Sequence, residues 1–356
     1  MKLLMIMYGK GIGGAELQFL ELAQELSKRH QIRLVSLGGD GALKNDKLPK
    51  GIELQVFSYS GKIAAALALI KALLMNLPYR PHAIITTSFS ANVLGYLISI
   101  FHSVKLVSLQ TVSKAMRYPA LDRLILKRFT KLIAGSTDIK KFLLQHGQSS
   151  ERIEVINNWV DFTNRKVTAD VASTREKFGI GTIDIVLGCI GRLHPQKGQE
   201  YLIRAFRILR ERHPRLRLVL VGDGPNGDLF KREARDLGDA VIFTGSVVGS
   251  DYNNLLNAFD IYVQPSRFEG MPRTLLDAMF MEKPIVATAV NGNLDAIHDK
   301  KNGLLVPAEN VDAIISATED FLNKPEMAAD LARQAHQDAL TSFDMARQLQ
   351  HIEQLL

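Results

Sequence analysis

Residues 2–16 have the sequence KLLMIMYGKGIGGAE, an apolar run followed by a glycine-rich turn and the first residues of an amphipathic segment. The glycines at 9, 11 and 14 have the spacing G-x-G-x-x-G. A strand that turns sharply into a helix leaves the first N–H groups of that helix without partners, and these groups can hold an anion. The stretch therefore predicts an anion-binding turn, and a dinucleotide is only one of the anions that fit it.

The same alternation of apolar strands and amphipathic helices continues along the chain. A polar stretch at about 164–174 interrupts it, and the pattern then restarts with DIVLGCIGRL. This doubling predicts two Rossmann-like, doubly wound parallel-sheet domains, 1–165 and 166–339, that face each other across a cleft. A C-terminal helix at about 340–356 is expected to pack back on the first domain.

Composition fits this organisation, because 356 residues with 46% hydrophobic residues can fill two cores. The single cysteine, Cys189, excludes an internal disulfide and a thiolate zinc cluster. Without a signal-peptide pattern at the N-terminus, a cytoplasmic location is expected. The longest uncharged apolar runs, IAAALALI and ANVLGYLISIF, are shorter than the ~20 residues that span a bilayer, so no transmembrane helix is expected.

The net charge of +7 and the pI of about 9.3 favour an anionic partner. Nucleic acid is not expected, because the chain has no recognisable nucleic-acid-binding motif. Residues 114–131, KAMRYPALDRLILKRFTK, interleave basic and apolar side chains. This segment predicts either a helix packed on the first domain with a solvated basic face, or a helix that lies on an anionic membrane.

In the second half, GRLHPQKGQ places Arg192 and Lys197 on a loop between a strand and a helix. An arginine fork and a mobile lysine on such a loop can grip a diphosphate. The segment VLVGDGPNG forms a second glycine turn, and its Gly222 and Asp223 are candidates for lining the same site.

The segment QPSRFEGMPRTLLDAM predicts a strand that ends at Gln264 and a helix that begins near Pro272. Glu269 precedes this helix, and the neighbouring backbone N–H groups can face an anion. Asp277 follows eight positions later, so both acids can project toward one cleft.

Six segments, in this order and spacing, resemble the retaining nucleotide-sugar glycosyltransferases of family four, which have the GT-B fold: GGAELQFLELA, GRLHPQKG, LVGDGP, FEGMPRTLLDAM, KPIVATAV and NGLLVP. The similarity covers nearly the whole chain. It implies that Arg192 and Lys197 bind the donor diphosphate, that Glu269 meets the hydroxyls of the transferred sugar, and that Asp277 holds the ribose. The other implied donor-binding residues are Gly13, Gly14, Gly222, Asp223, Gly270, Met271, Pro272 and Thr274.

Two positions depart from the family pattern. Family members usually have glutamate where this chain has Asp277, which is one methylene shorter. Many also have a histidine near the donor sugar where this chain offers Gln110, which can hydrogen-bond but cannot carry a proton. The nearby His102 is expected to be an ordinary surface residue.

The resemblance implies a retaining transfer of a hexose-type sugar from a nucleotide-sugar, with UDP-sugars first and GDP-mannose second. The implied acceptor is a glycan or a lipid-linked molecule in cell-surface polysaccharide or glycoconjugate synthesis, with the enzyme in the cytoplasm or at the inner face of the membrane. No cofactor and no metal are expected, because the chain lacks an Asp-x-Asp pair.

Three alternatives stay open at this point. An NAD-dependent dehydrogenase would use the first glycine turn and Asp40, but it leaves Arg192, Lys197 and Glu269 without roles. A GT-B epimerase would cleave its donor without an acceptor. A non-catalytic binding homologue would be indicated by loss of Lys197 or Glu269, and both are present.

Overall fold

The computed structural model describes residues 1–9, 14–38, 51–110 and 119–356. These residues form two compact units. The first consists of Met1–Asn158 and Ala346–Leu356, and the second is Trp159–Met345.

The first unit is built on a seven-stranded parallel sheet in the order β3-β2-β1-β4-β5-β6-β7. Its strands are β1 (Lys2–Tyr8), β2 (Gln31–Leu37), β3 (Ile52–Phe57), β4 (Ala83–Thr86), β5 (Lys105–Gln110), β6 (Lys131–Ala134) and β7 (Ile153–Val155). Its first helices are α1 (Gly14–Ser27), α2 (Lys62–Asn76), α3 (Phe89–Phe101), α4 (Pro119–Leu126) and α5 (Thr137–Gln145). Every residue of β1 from Leu3 to Met7 is buried, since a parallel sheet is covered on both faces.

The second unit contains a six-stranded parallel sheet in the order β10-β9-β8-β11-β12-β13. Its strands are β8 (Ile185–Ile190), β9 (Leu216–Val221), β10 (Val241–Gly245), β11 (Ile261–Gln264), β12 (Ile285–Thr288) and β13 (Leu304–Val306). Its helices are α6 (Val171–Lys177), α7 (Gln199–Arg212), α8 (Gly227–Glu233), α9 (Ser250–Asn257), α10 (Arg273–Phe280), α11 (Asn291–Ala296), α12 (Val311–Asn323) and α13 (Pro325–Ser342).

Both sheets reverse their strand order beside their first strand, between β1 and β4 and between β8 and β11. At such a switch point the loops from the two neighbouring strands leave in opposite directions and open a crevice beyond the carboxyl ends, where ligands bind. In the second unit, the loops that follow β8 and β11 therefore define the place to look for a site.

The last helix, α14 (Met345–Leu355), belongs to the first unit. It buries Leu349 and Ile352, and its Glu353 forms an ion pair with Arg29 (2.9 Å) and contacts the ring of His30 (3.2 Å). These contacts attach the end of the chain to the turn between α1 and β2.

The chain passes from the first unit to the second after Asn158, whereas the sequence pattern places the boundary at 165/166. The reason is that Trp159 is fully buried and Val160 forms a β-bridge with Asp344, at the end of the second unit. The polar stretch that interrupts the pattern lies within the second unit.

Replacing Ile352 by alanine should reduce the free energy of unfolding by about 3 kcal/mol, because the fully buried side chain would leave a cavity under α14. Gln354→Ala is the matched control, since this exposed residue lies on the same helix. The urea midpoint of each variant, followed by far-UV circular dichroism, measures the difference. Equal midpoints would show that α14 contributes no packing to the fold.

Candidate nucleotide-sugar site

Three loops of the second unit follow the carboxyl ends of β8, β9 and β11. The first carries Arg192 and Lys197, the second is the Gly222–Asp223 turn, and the third carries Glu269. Because β8 lies between β9 and β11 in the sheet, all three loops leave the same edge as neighbours.

Lys197 and Glu269 form a partly buried ion pair with a distance of 2.7 Å between Nζ and Oε1. The same carboxylate oxygen accepts hydrogen bonds from Gln264 Nε2 (2.9 Å) and Ser266 Oγ (2.6 Å). The Glu269 side chain is only 5% exposed, so these three donors replace the water that it loses on burial. The other oxygen, Oε2, accepts no hydrogen bond within the described part of the chain and can receive one from a ligand hydroxyl.

A second layer of hydrogen bonds fixes the orientation of Gln264. The Tyr262 hydroxyl donates to Gln264 Oε1 (2.6 Å), which turns the amide nitrogen toward Glu269. Thr274 hydrogen-bonds the Tyr262 phenol in turn. Burial raises the pKa of Tyr262 well above its ordinary value, so the phenol keeps the proton that it donates.

The loops after β8 and β11 are also joined by hydrogen bonds to each other's backbone carbonyls. Gln196 Nε2 donates to the Phe268 carbonyl (3.2 Å), and the Arg267 N–H donates to the Gln196 carbonyl (2.8 Å). Gly198 has φ +66°, and a Cβ atom there would lie 2.0 Å from the Pro265 carbonyl oxygen. Only glycine fits both this conformation and this approach.

Gly292, at the start of α11, supports the Glu269 loop from another side. A Cβ atom on Gly292 would lie 1.7 Å from the Gly270 carbonyl oxygen, so the two backbones are in direct contact. The Gly270 amide itself donates no hydrogen bond to a described residue, and Gly270 is exposed. Met271 and Pro272 are buried, and α10 begins at Arg273.

Arg192 is exposed, and its guanidinium has no partner among the described residues. Its loop contacts the second glycine turn, because a Cβ atom on Gly222 would lie 2.2 Å from the Gly191 carbonyl oxygen. A cavity of about 260 Å³ opens beside this turn and is lined by Gly222, Asp223 and Lys231, among others. Asp223 Oδ1 accepts a hydrogen bond from the Gly224 N–H (2.7 Å), which makes it a residue that shapes the turn.

Asp277 lies inside the second unit with a side chain that is 3% exposed. Its Oδ1 accepts a hydrogen bond from Arg165 Nε (2.7 Å), and its Oδ2 accepts one from the Tyr252 hydroxyl (2.7 Å). Burial and the nearby Asp277 charge raise the pKa of Tyr252 well above its ordinary value, which keeps this phenol a donor. Each oxygen of Asp277 thus already has a protein partner.

Comparison with known proteins finds two family models along the chain. The model "Glycosyltransferase Family 4" matches residues 12–164, and "Glycosyl transferases group 1" matches residues 170–338. The chain belongs to glycosyltransferase family 4.

Among the curated relatives of this family member is a GDP-mannose-dependent α-(1-6)-phosphatidylinositol monomannoside mannosyltransferase of Mycolicibacterium smegmatis. It is 33% identical over 194 residues, which are 52% of this chain and 50% of that protein. The chain thus spans about half the length of the curated relatives it matches.

Similar solved structures cover the whole chain. Anabaena HepE in complex with UDP has a TM-score of 0.87 at 24% identity and covers 99% of both chains. WaaG, a glycosyltransferase involved in lipopolysaccharide biosynthesis, has a TM-score of 0.72 at 18% identity and covers 99% of this chain and 98% of that one. These likenesses show that the fold is GT-B.

The structure describes only some of the residues that the sequence predicts for a site in the first unit. Gly13 and Asp40 lie outside the described residues, and Gly14 is the first residue of α1. Gln110 is the last residue of β5 and donates its Nε2–H to Ser108 Oγ (2.7 Å). His102 is half-buried, and its ring Nε2 hydrogen-bonds the Leu77 carbonyl (2.8 Å), which gives it a structural contact that the sequence did not indicate.

Several residues of this site were not foreseen. Gln264 and Ser266 give a weak signal, since both are polar residues at the end of the apolar strand IYVQPS. Tyr252 and Arg165 give none, because they reach Asp277 from positions 25 and 112 residues away.

Asp277→Ala should destabilise the protein by about 3 kcal/mol, because it leaves Arg165 and the Tyr252 hydroxyl without their buried acceptor. Asp251→Ala is the matched control, since Asp251 pairs with Lys177 at the same distance of 2.7 Å but on the exposed surface. Urea unfolding of both variants measures the difference. Two equally small losses would show that the buried pair contributes nothing to stability.

Proposed function

We propose that this chain transfers a hexose-type sugar, with retention of configuration and without a metal ion, from a nucleotide-sugar to a glycan or lipid-linked acceptor. The observation that carries the proposal is the Lys197–Glu269 ion pair at the carboxyl edge of the second sheet, on the same loop as the exposed Arg192, which has no partner among the described residues. This arrangement offers two cations and one carboxylate oxygen at the place where a doubly wound sheet binds ligands.

In the proposed reaction, Arg192 and Lys197 bind the two phosphates of the donor, and the exposed Gly270 amide supports the same charge. Glu269 Oε2 accepts a hydrogen bond from a hydroxyl of the transferred sugar. Catalysis then depends on stabilising negative charge as the diphosphate departs, and the departing phosphate takes the proton of the acceptor hydroxyl. In this scheme Asp277 contacts the ribose through a carboxylate that Arg165 and Tyr252 already hold.

The donor that we propose as the first choice is a UDP-sugar, because the similar Anabaena protein was solved in complex with UDP. GDP-mannose is the second choice, because the relative is a GDP-mannose-dependent mannosyltransferase. The acceptor is proposed to belong to cell-surface polysaccharide or glycoconjugate synthesis at the cytoplasmic face of the membrane. Two similar proteins support this class of acceptor. The relative is named for a phosphatidylinositol monomannoside, and WaaG is involved in lipopolysaccharide biosynthesis.

A GT-B epimerase is the remaining alternative with the same fold, and it is separated by measuring sugar release against sugar transfer. A non-catalytic homologue is disfavoured because Lys197 and Glu269 are both present and paired. A dehydrogenase is disfavoured because the chain belongs to a glycosyltransferase family, and because a dehydrogenase reaction would give the Lys197–Glu269 ion pair no role.

Arg192→Ala should weaken donor binding by ~30-fold, the loss of about 2 kcal/mol expected for a hydrogen bond to a charged group. Stability should not change, because the exposed Arg192 has no partner in the described structure. Arg215→Ala, another exposed arginine of this unit, is the control and should leave both properties unchanged. Calorimetric titration with UDP gives the affinity, and unchanged affinity for Arg192→Ala would remove it from the site.

Lys197→Ala should lower the transfer rate by ~100-fold, or about 3 kcal/mol of transition-state stabilisation. Unlike Arg192→Ala, it should also lower stability, because Glu269 loses its buried counter-ion. The double variant Lys197→Ala with Glu269→Gln should recover stability without recovering activity. Recovery of both would show that the pair is structural only.

A donor panel tests the nucleotide directly. UDP-, GDP- and ADP-sugars are compared by thermal shift, where a ligand at 100 times its dissociation constant adds about 2.7 kcal/mol. We expect the largest shift with a UDP-sugar and no loss of the shift or of transfer on adding a chelator. A shift with none of the three classes would contradict the proposed function.

A further inference from the structure

The helix α2 (Lys62–Asn76) presents an apolar face to solvent. Ile63, Leu67, Ile70 and Leu74 recur at the spacing of one helix face, and their exposed fractions range from 54% to 81%. Exposed surfaces of helices are ordinarily polar, and a helix that is apolar on all sides is buried in a core or meets a membrane. Nothing in the described structure covers this face.

The opposite face of α2 is fixed to the first unit. Ala72 and Asn76 are buried, and Asn76 Nδ2 donates to Gln55 on β3 (3.0 Å) and to the Ala72 carbonyl (2.8 Å). The exposed stripe is therefore held in a defined orientation on the surface of this unit.

The apolar surface extends beyond α2 at its C-terminal end. The His102 ring hydrogen-bonds the Leu77 carbonyl, which holds the end of α3 beside the end of α2. Ile100 and Phe101, the last two residues of α3, are both more than half exposed. We call the exposed side chains of Ile63, Leu67, Ile70, Leu74, Ile100 and Phe101 the α2 surface.

The charge of α2 favours an anionic occupant. The helix contains no acidic residue, and Lys62 and Lys71 are exposed, with Lys71 adjacent to Ile70 on the apolar side. A two-fold dimer through this face would bring the same lysines of both copies together without acidic partners on the helix. Anionic lipid headgroups instead attract both lysines while the apolar side chains enter the acyl boundary.

We propose that the α2 surface docks on an anionic lipid bilayer. The helix lies in the plane of the membrane, with its apolar stripe among the acyl chains and Lys62 and Lys71 at the phosphates. This proposal is independent of the transfer reaction, because it needs neither donor nor acceptor.

The geometry favours lying on the membrane over crossing it. Lys62–Tyr79 is the one described segment long and apolar enough to cross a bilayer by length and composition. Lys71 divides it into two uncharged runs, each too short to predict a span. The helix itself has 15 residues, or ~22 Å, which is shorter than the ~30 Å hydrocarbon core. Lys71 would also stand within the core if the helix crossed it.

The α2 surface differs from residues 114–131, for which the sequence left packing on the first domain and contact with a membrane as alternatives. Of residues 114–131, those before Pro119 lie outside the described structure. In the remainder Ile125, Leu126 and Phe129 are buried, and only Leu121 and Leu124 are exposed. Most of the described apolar side chains of that segment thus pack inside the first unit.

The test is flotation of the full chain with phosphatidylcholine vesicles, with and without phosphatidylglycerol. The wild type should bind the anionic vesicles, and more weakly in high salt. Ile63→Ser with Leu67→Ser should reduce binding by ~100-fold, about tenfold for each apolar side chain kept from the membrane. Ile183→Ser with Leu340→Ser is the matched control, because these exposed residues of the same types lie in the second unit.

A second double variant measures the contribution of charge to vesicle binding separately from that of apolar contact. It also tests the proposal if the serine variant fails to fold. Lys62→Gln with Lys71→Gln should lower binding to anionic vesicles by ~30-fold, about fivefold for each lysine. The control Lys300→Gln with Lys301→Gln, in the second unit, should have no such effect. Sedimentation velocity is run on the same proteins.

Absence of vesicle binding by the wild type, or equal binding by the α2 and control variants, would overturn the proposal. A dimer that only the α2 serine variant dissociates, without vesicle binding, would assign this surface to a second copy of the chain. Because the vesicles contain no sugar donor or acceptor, neither result depends on whether the proposed transfer reaction is correct.

Discussion

The loops at the switch point of the second sheet meet at one buried carboxylate, that of Glu269. Burying Glu269 would be costly in isolation, and the fold offsets the cost by aiming an ammonium, an amide and a hydroxyl at a single oxygen. These donors come from different loops, so the carboxylate links the segments that follow β8 and β11. The switch point of the sheet thus holds a polar network in addition to an apolar core.

Glycine is what allows these loops to come close enough. At Gly198, Gly222 and Gly292 a Cβ atom would stand within 2.2 Å of a carbonyl oxygen of a neighbouring loop. Such contacts are between backbones, so no change of rotamer could relieve them. The paths of the loops around Glu269 are consequently constrained by main-chain contacts, while the side chain of Arg192 is exposed and has no partner among the described residues.

The parts of the structure that the sequence could predict are those encoded locally. Parallel strands are buried on both faces, so β1 and β8 are visible as continuous apolar runs, and the glycine turns that follow them mark the carboxyl edge. The relay from Tyr262 through Gln264 to Glu269 and the pairing of Asp277 with Arg165 depend on which side chains meet after folding. The position of the unit boundary also depends on contacts made after folding, because the β-bridge from Val160 to Asp344 joins residues that are far apart in the sequence.

The two acids of the segment FEGMPRTLLDAM are both buried and differ in their partners. Asp277 accepts one hydrogen bond on each oxygen, from the planar guanidinium of Arg165 and from the Tyr252 phenol. Glu269 is paired instead with Lys197, which ends in a compact ammonium on a flexible stem. A lysine can swing part of its charge toward a phosphate while keeping a donor on Glu269, whereas a bidentate arginine would have to leave one for the other. In the proposed reaction, a lysine at this position would satisfy the buried acid before a diphosphate arrives and contact both groups afterwards.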